Sequence, residues 1–242
     1  MRAFNVIYDE NHISLLTKED IFHYDIRSNT VPLIHEEIKS FLKDSSKSSF
    51  LHAPDFVHAV VGSNHLAIPN SVFAESNLTG YHSRMFGVLK PTHELRHALS
   101  SNTQVQLVHE QPRWLIEFVN SHFNGEPIRS VHSMLLDSLQ RNTGYTIDLH
   151  CFYNLCYLGV YRDQKLWYSD FFEFTLIDDL IYMLINMLNQ YKLDTKGARL
   201  RISSTHNSIQ PEVINAYLER IEPLHLLAIE TRDIRTLLEI YE

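Results

Sequence analysis

The chain predicts an α/β fold of two lobes, each built on a mixed sheet, and three features of its order say so. Short runs of alternating apolar residues come in threes, first within 4–26 and again within 145–174. An amphipathic stretch of helical period follows each trio. A strand, a helix, a strand and a helix then follow in both halves. The order βββαβαβα is thus written twice, as a first lobe over 1–141 and a second over 142–242. No sequence identity links the copies, so the repeat is one of topology. Two such lobes are expected to face each other over a cleft, where ligands usually lie.

In the first copy, FNVIY (4–8) and HISLL (12–16) flank the polar turn Asp9-Glu10-Asn11, and IFHYDI (21–26) completes the trio. Val31, Ile34, Ile38, Phe41 and Leu42 mark one side of a helix over 31–43, which the DSSKSS loop closes. QVQLVH (104–109), a helix over 112–123, a strand near Ile128 and a helix over 131–141 complete the unit. Residues 54–102 are then surplus and read as an insertion.

In the second copy, YTIDLHCF, LCYLGVY and KLWYSDFFEF are the three strands. Thr175 and Asp178 have the spacing of a capping box at the start of a helix striped by Ile177, Leu180, Ile181, Leu184, Ile185 and Leu188. RLRIS (199–203), a helix over 211–222, LHLLAIE (224–230) and a terminal helix from about 232 follow.

Composition narrows the classes of function. The net charge is −8, from 29 acidic and 21 basic residues, which speaks against an electrostatic grip on nucleic acid or an anionic membrane. Cys151 and Cys156 are the only cysteines, and reduced, core-facing thiols are expected. MRAFNVIYDENH lacks the apolar run of a signal peptide. The longest greasy stretch, Leu180 to Leu188, is too short to span a bilayer and contains Asn186. A cytoplasmic protein with no membrane insertion is expected.

Two segments carry a resemblance. RDQKLWYSDFFEFTLIDDLIYMLINMLNQYKLD (162–194) and LAIPNSVFAESNLTGY (66–81) resemble a bacterial family of unknown function, DUF3822, with an actin-like ATPase fold. The doubled order is similar to that of the actin, sugar kinase and heat-shock ATPase (ASKHA) superfamily, whose lobes are ribonuclease-H-like. An insertion in the first lobe is similar to the arrangement in its cell-division and pilus-assembly members. The resemblance implies the fold and no established activity.

That superfamily holds ATP with two glycine-bearing hairpin turns and a later glycine pair, because backbone N–H groups must come close to phosphate oxygens. An aspartate beside each turn serves magnesium and water. This chain departs at all three places. The first turn falls on Asp9-Glu10-Asn11, without glycine. The second falls on Asp148-Leu149-His150, with Asp148 at the acid, His150 at the glycine and Asn154 at the following bend. The glycine pair falls on Ser203-Ser204. Carboxylates set against phosphate repel it. Asp9 and Asn11 are therefore expected to be ordinary turn residues, and Asp148 and His150 to pair or cap a strand end. The resulting expectation is a non-catalytic protein without cofactor that binds or scaffolds an unknown protein partner, its oligomeric state open. The alternative is an atypical Mg-ATP-binding protein or ATPase using Asp148 and Ser203-Ser204 in the inter-lobe cleft.

One further motif competes. His93-Glu94-x-x-His97 has the spelling of a zinc peptidase helix, with Glu94 as general base and Glu117 as a distant third ligand. A helix is expected to start near Thr92. Arg96 stands between the ligands, no close third ligand follows, and a chain with 15 histidines produces such a pattern by chance. A zinc metallopeptidase is the minor alternative. The remaining histidines are expected to be solvated or capping.

Overall fold

The alternation of the first thirty residues folds as a meander. In the computed structural model β1 (Phe4–Tyr8), β2 (His12–Leu16) and β3 (Ile21–Asp25) pair antiparallel in succession. The structure describes residues 4–17, 20–46, 56–62, 64–100, 104–137, 144–163, 165–193, 197–205, 211–220 and 228–234. The chain divides into two units, Met1–Asp137 and Ser138–Glu242.

In the first unit β4 (Phe56–Val60) pairs parallel to β1, and β8 (Ile128–Ser130) pairs parallel to β4. The sheet order is β3-β2-β1-β4-β8. Its core lies beneath α1 (Val31–Ser46) and α3 (Arg113–His122). Ile34, Ile38 and Leu42 of α1 meet Leu115 and Phe118 of α3 over Val6, Tyr8, Ile13 and Leu15. Spacings of three and four residues put each set on one helical face, and alternation does the same for each strand. α1 runs to Ser46, so half of the DSSKSS segment is helical and the other half lies outside the described residues.

The insertion is not where the sequence reading puts it. FVHAV is β4, the fourth strand of the main sheet, while QVQLVH lies in β7 (Val105–Pro112), outside that sheet. β7 joins β5 (His65–Pro69) and β6 (His93–Ser100) in a separate antiparallel sheet of order β5-β7-β6. The insertion therefore lies between β4 and α3 and includes α2 (Leu78–Phe86). Alternation reveals a strand but not which neighbour it pairs with. α4 (Val131–Asp137) packs on β6 and β8.

The second unit repeats the design. β9 (Tyr145–Phe152), β10 (Leu155–Arg162) and β11 (Lys165–Glu173) form the meander. β12 (Arg199–Ser204) pairs parallel to β9, and β13 (Ala228–Thr231) parallel to β12. The order β11-β10-β9-β12-β13 matches that of the first sheet strand for strand. α5 (Ile177–Tyr191) and α6 (Pro211–Leu218) cover a core that includes Ile147, Leu149, Leu200 and Ile202. The cap of α5 differs in one detail. Asp179, not Asp178, accepts the N–H groups of Thr175 and Leu176, each at 2.9 Å. Of the terminal helix expected from about 232, everything after Ile234 lies outside the described residues, as does the part of LHLLAIE before Ala228.

Cys151 and Cys156 are directly opposite on β9 and β10, free and buried in this core, with sulfurs 3.6 Å apart.

Candidate functional site

The first hairpin turn binds its own anion. Asp9 leaves β1 with its N–H donating to the His12 carbonyl at 3.0 Å. Its carboxylate turns back on the loop and accepts the N–H groups of Asn11 and His12, each at 2.7 Å. The His12 ring Nδ1 adds a contact at 2.9 Å. Convergent amides of a tight turn make an anion-binding hollow, and here a carboxylate of the same turn fills it. Glu10, at the tip, reaches Lys90 Nζ at 2.5 Å and His93 Nε2 at 3.1 Å. The turn is thus tied to the insertion and needs no external ligand to order it. Asp9→Ala removes a charged acceptor from two amides and should cost about 1–3 kcal/mol in urea unfolding.

The second unit places Asp148, His150 and Ser203 together, though not at a bend. Asp148 and His150 lie inside β9, and the hairpin turn is Tyr153-Asn154. The parallel register sets Arg201 beside Asp148 and Ser203 beside His150. The Arg201 guanidinium grips the Asp148 carboxylate with two bonds, Nε to Oδ1 and Nη2 to Oδ2. Ser203 Oγ lies 2.7 Å from His150 Nδ1, and His150 Nε2 lies 3.8 Å from Asp148 Oδ2. None of the four residues is more than 2% exposed. Burial pushes the Asp148 carboxyl up, but His150 and the Arg201 charge outweigh it and hold it below the ordinary carboxylate value. A metal ion reaching this carboxylate would have to displace a bidentate guanidinium.

Tyr157 of β10 lies parallel to His150 and offset from it, with ring centroids 5.9 Å apart and planes 6° apart. Its hydroxyl meets that of Tyr161 at 2.5 Å, and burial pushes both phenols up. Gly159 makes room for this ring: a Cβ there would come within 2.6 Å of the Tyr157 oxygen. Gly159→Ala should therefore lower stability by about 1–3 kcal/mol in urea unfolding, the range of an overpacked core.

The turn itself is also satisfied. Tyr153 holds a left-handed φ of 56°, a conformation that favours glycine, and its N–H donates to Thr205 Oγ1 at 3.3 Å. Asn154 is exposed, and its carbonyl accepts the Phe174 N–H at 2.9 Å. Ser203 and Ser204 end β12, with Ser203 fully buried. Arg201, Tyr157 and Thr205 were not among the residues expected at this site. An arginine alternating with Leu200 and Ile202 in RLRIS was the available signal, since a cation inside a parallel strand needs an acid beside it.

The zinc motif is not on a helix. His93 to Ser100 form β6. Four residues of strand separate the two histidines by about 13 Å, too far for one ion. Glu94 points to the other face, where Arg96 Nη2 holds it at 2.9 Å. Glu117 is exposed on α3. Among the described residues no group of three or more His, Cys, Asp or Glu side chains is placed to hold a metal. The histidines as a set also differ from expectation: His58, His65, His82, His93, His109 and His132 are all buried in the first unit. Among the described residues no helix is long and apolar enough to cross a membrane.

Two sheets of one strand order, each a meander extended by two parallel strands, define a protein of the actin-like ATPase fold. The chain belongs to the family described as "Protein of unknown function (DUF3822)", whose sequence profile matches residues 6–221. It is similar to a Bacteroides thetaiotaomicron protein with actin-like ATPase fold and unknown function. That likeness has a TM-score of 0.74 at 13% identity and covers 95% of this chain and 90% of that one. It is also similar to a structure of a PilM–PilN type IV pilus biogenesis complex, with a TM-score of 0.52 at 11% identity over 95% of this chain and 91% of that one. Likeness at these identities establishes the fold. The sequence matches no curated protein.

Proposed function

We propose that this chain is an actin-like-fold protein that neither binds nor hydrolyses nucleotide and acts by binding a protein partner. The observation that carries the first half is the Asp9 carboxylate seated on the amides of Asn11 and His12. A triphosphate arriving there meets an anion where its donors should be. Asp148 adds to this, because its charge is already matched by Arg201 inside the sheet. The second half rests on what the fold can do once nucleotide chemistry is removed, which is to present surface. A structural neighbour, the PilM–PilN complex, is an assembly of one protein with another.

Calorimetric titration of the full chain with Mg-ATP is the test. No saturable heat is expected up to millimolar nucleotide. A site with Kd near or below about 100 μM, equivalent to about −5.5 kcal/mol, would overturn the reading in favour of an atypical ATP-binding protein.

A further inference from the structure

Three imidazoles meet where the insertion sheet packs on α4. His65 and His109 stand directly opposite each other on β5 and β7, so they share one sheet face. His132, in the first turn of α4, approaches the His65 ring edge-on with centroids 4.1 Å apart. All three are buried, at 7%, 7% and 2% exposure. Both ring nitrogens of His109 are buried with no well-formed hydrogen bond among the described residues, although the Leu107 backbone favours the charged ring. The other end of the same interface is a neutral-to-charged bond, Ser100 Oγ to Asp137 Oδ1 at 2.7 Å.

We propose that this junction is an acid-released latch: proton uptake by the His65, His109 and His132 cluster separates α4 from the insertion sheet. The proposal is independent of whether nucleotide binds.

The charged groups around the cluster favour release. On the same sheet face β6 contributes Arg96, directly opposite His109, and Glu94, which Arg96 and Arg113 already hold at 2.9 and 3.9 Å. From the other face His97 adds to the field that keeps His109 neutral. Asp137 of α4 is bound to Ser100, and Glu110 of β7 points away to His82 of α2, 2.7 Å from its Nε2. Arg129 of β8 is exposed. A proton entering the cluster thus places charge among imidazoles and beside a guanidinium, in a site removed from water.

Burial, opposed by the Leu107 backbone and aided by Arg96 and His97, brings His109 down from 6.5 to about 4. Burial, then His65 and His109, bring His132 well below its ordinary value. A histidine lowered on folding binds its proton preferentially in the open state. Stability is therefore full above pH 6.5 and falls as pH drops from 6.5 towards 4. For His109 alone, opening becomes about tenfold more favourable at pH 5.5 than at pH 7.5.

Hydrogen exchange of the full chain, followed by mass spectrometry at pH 7.5 and 5.5 and corrected for intrinsic rates, reads the opening directly. Peptides covering α4, β5 and β7 should lose protection at least about tenfold at pH 5.5, against less than about twofold for β9 and β10. His109→Leu, which replaces an imidazole lacking any well-formed side-chain hydrogen bond, should reduce the α4 loss by about tenfold. Equal protection of α4 at both pH values overturns the latch, as does an equal loss in both units or an unchanged acid response in the variant. Should His109→Leu fail to fold, carbon-13 titration of the wild-type imidazoles decides: a His109 ring that titrates near 4 supports the latch, and an ordinary value near 6.5 ends it.

Discussion

Arg201→Met should destabilise the second unit by about 3–5 kcal/mol, the cost of leaving a buried carboxylate without its partner. Asp148 is 1% exposed and bound to Arg201 on both oxygens, and His150 Nε2, 3.8 Å from Oδ2, offers at most one replacement contact. The double variant Asp148→Leu with Arg201→Met should recover most of the loss, because an apolar pair of similar volume avoids charge desolvation altogether. Trp167 reports on this unit, and a Trp114→Phe background isolates its emission, since the chain has only these two tryptophans. Urea unfolding of the three proteins measures the cycle. A single-variant loss below about 1 kcal/mol would mean that Asp148 finds another partner, and that the closed site described above is open to one.

Phe118→Ala should cost the first unit about 3–5 kcal/mol. Phe118 is fully buried on α3 between α1 and the sheet, with the His35, His122 and Phe123 rings at centroid distances of 5.3, 5.0 and 5.7 Å. The cavity cannot collapse easily, because its walls include rings held by α1, by α3 and by the residue that ends α3. Phe118→Leu keeps most of the volume and should cost less than half as much. Trp114, one turn earlier on α3 and edge-on to Tyr8 at 6.3 Å, reports the transition in a Trp167→Phe background.

The fold was legible wherever one residue type repeated at one period. The trio FNVIY, HISLL, IFHYD alternates, the trio YTIDLHCF, LCYLGVY, KLWYSDFFEF is rich in apolar and aromatic strand formers, and they became the two meanders. Pairing was not legible. FVHAV and QVQLVH look alike as strands, yet one extends the main sheet and the other builds the insertion, a choice made by tertiary contacts. His93 to Ser100 was misjudged because Leu95 and Leu99 fit both a helical stripe and an alternating strand, and the zinc spelling favoured the helix.

The site was legible only in part. The resemblance marks three places where glycine is expected and absent, but the sequence does not show what the side chains there hold. The grip of Asp9 on its own turn is local and follows from Asp-x-Asn chemistry. Arg201 lies 53 residues from Asp148, and only the register of β9 with β12 brings them together. The buried histidines of the first unit carry no signal in composition, since an imidazole suits a core or a surface equally well.

The proposed function requires that the chain's own side chains hold the places where the resemblance puts phosphate. Crystals grown with magnesium and a non-hydrolysable ATP analogue test it most directly. The Asp9 carboxylate should remain on the Asn11 and His12 amides, and Asp148 on Arg201, with no nucleotide density against either. Phosphate oxygens on those amides, with Asp9 swung out, would contradict it.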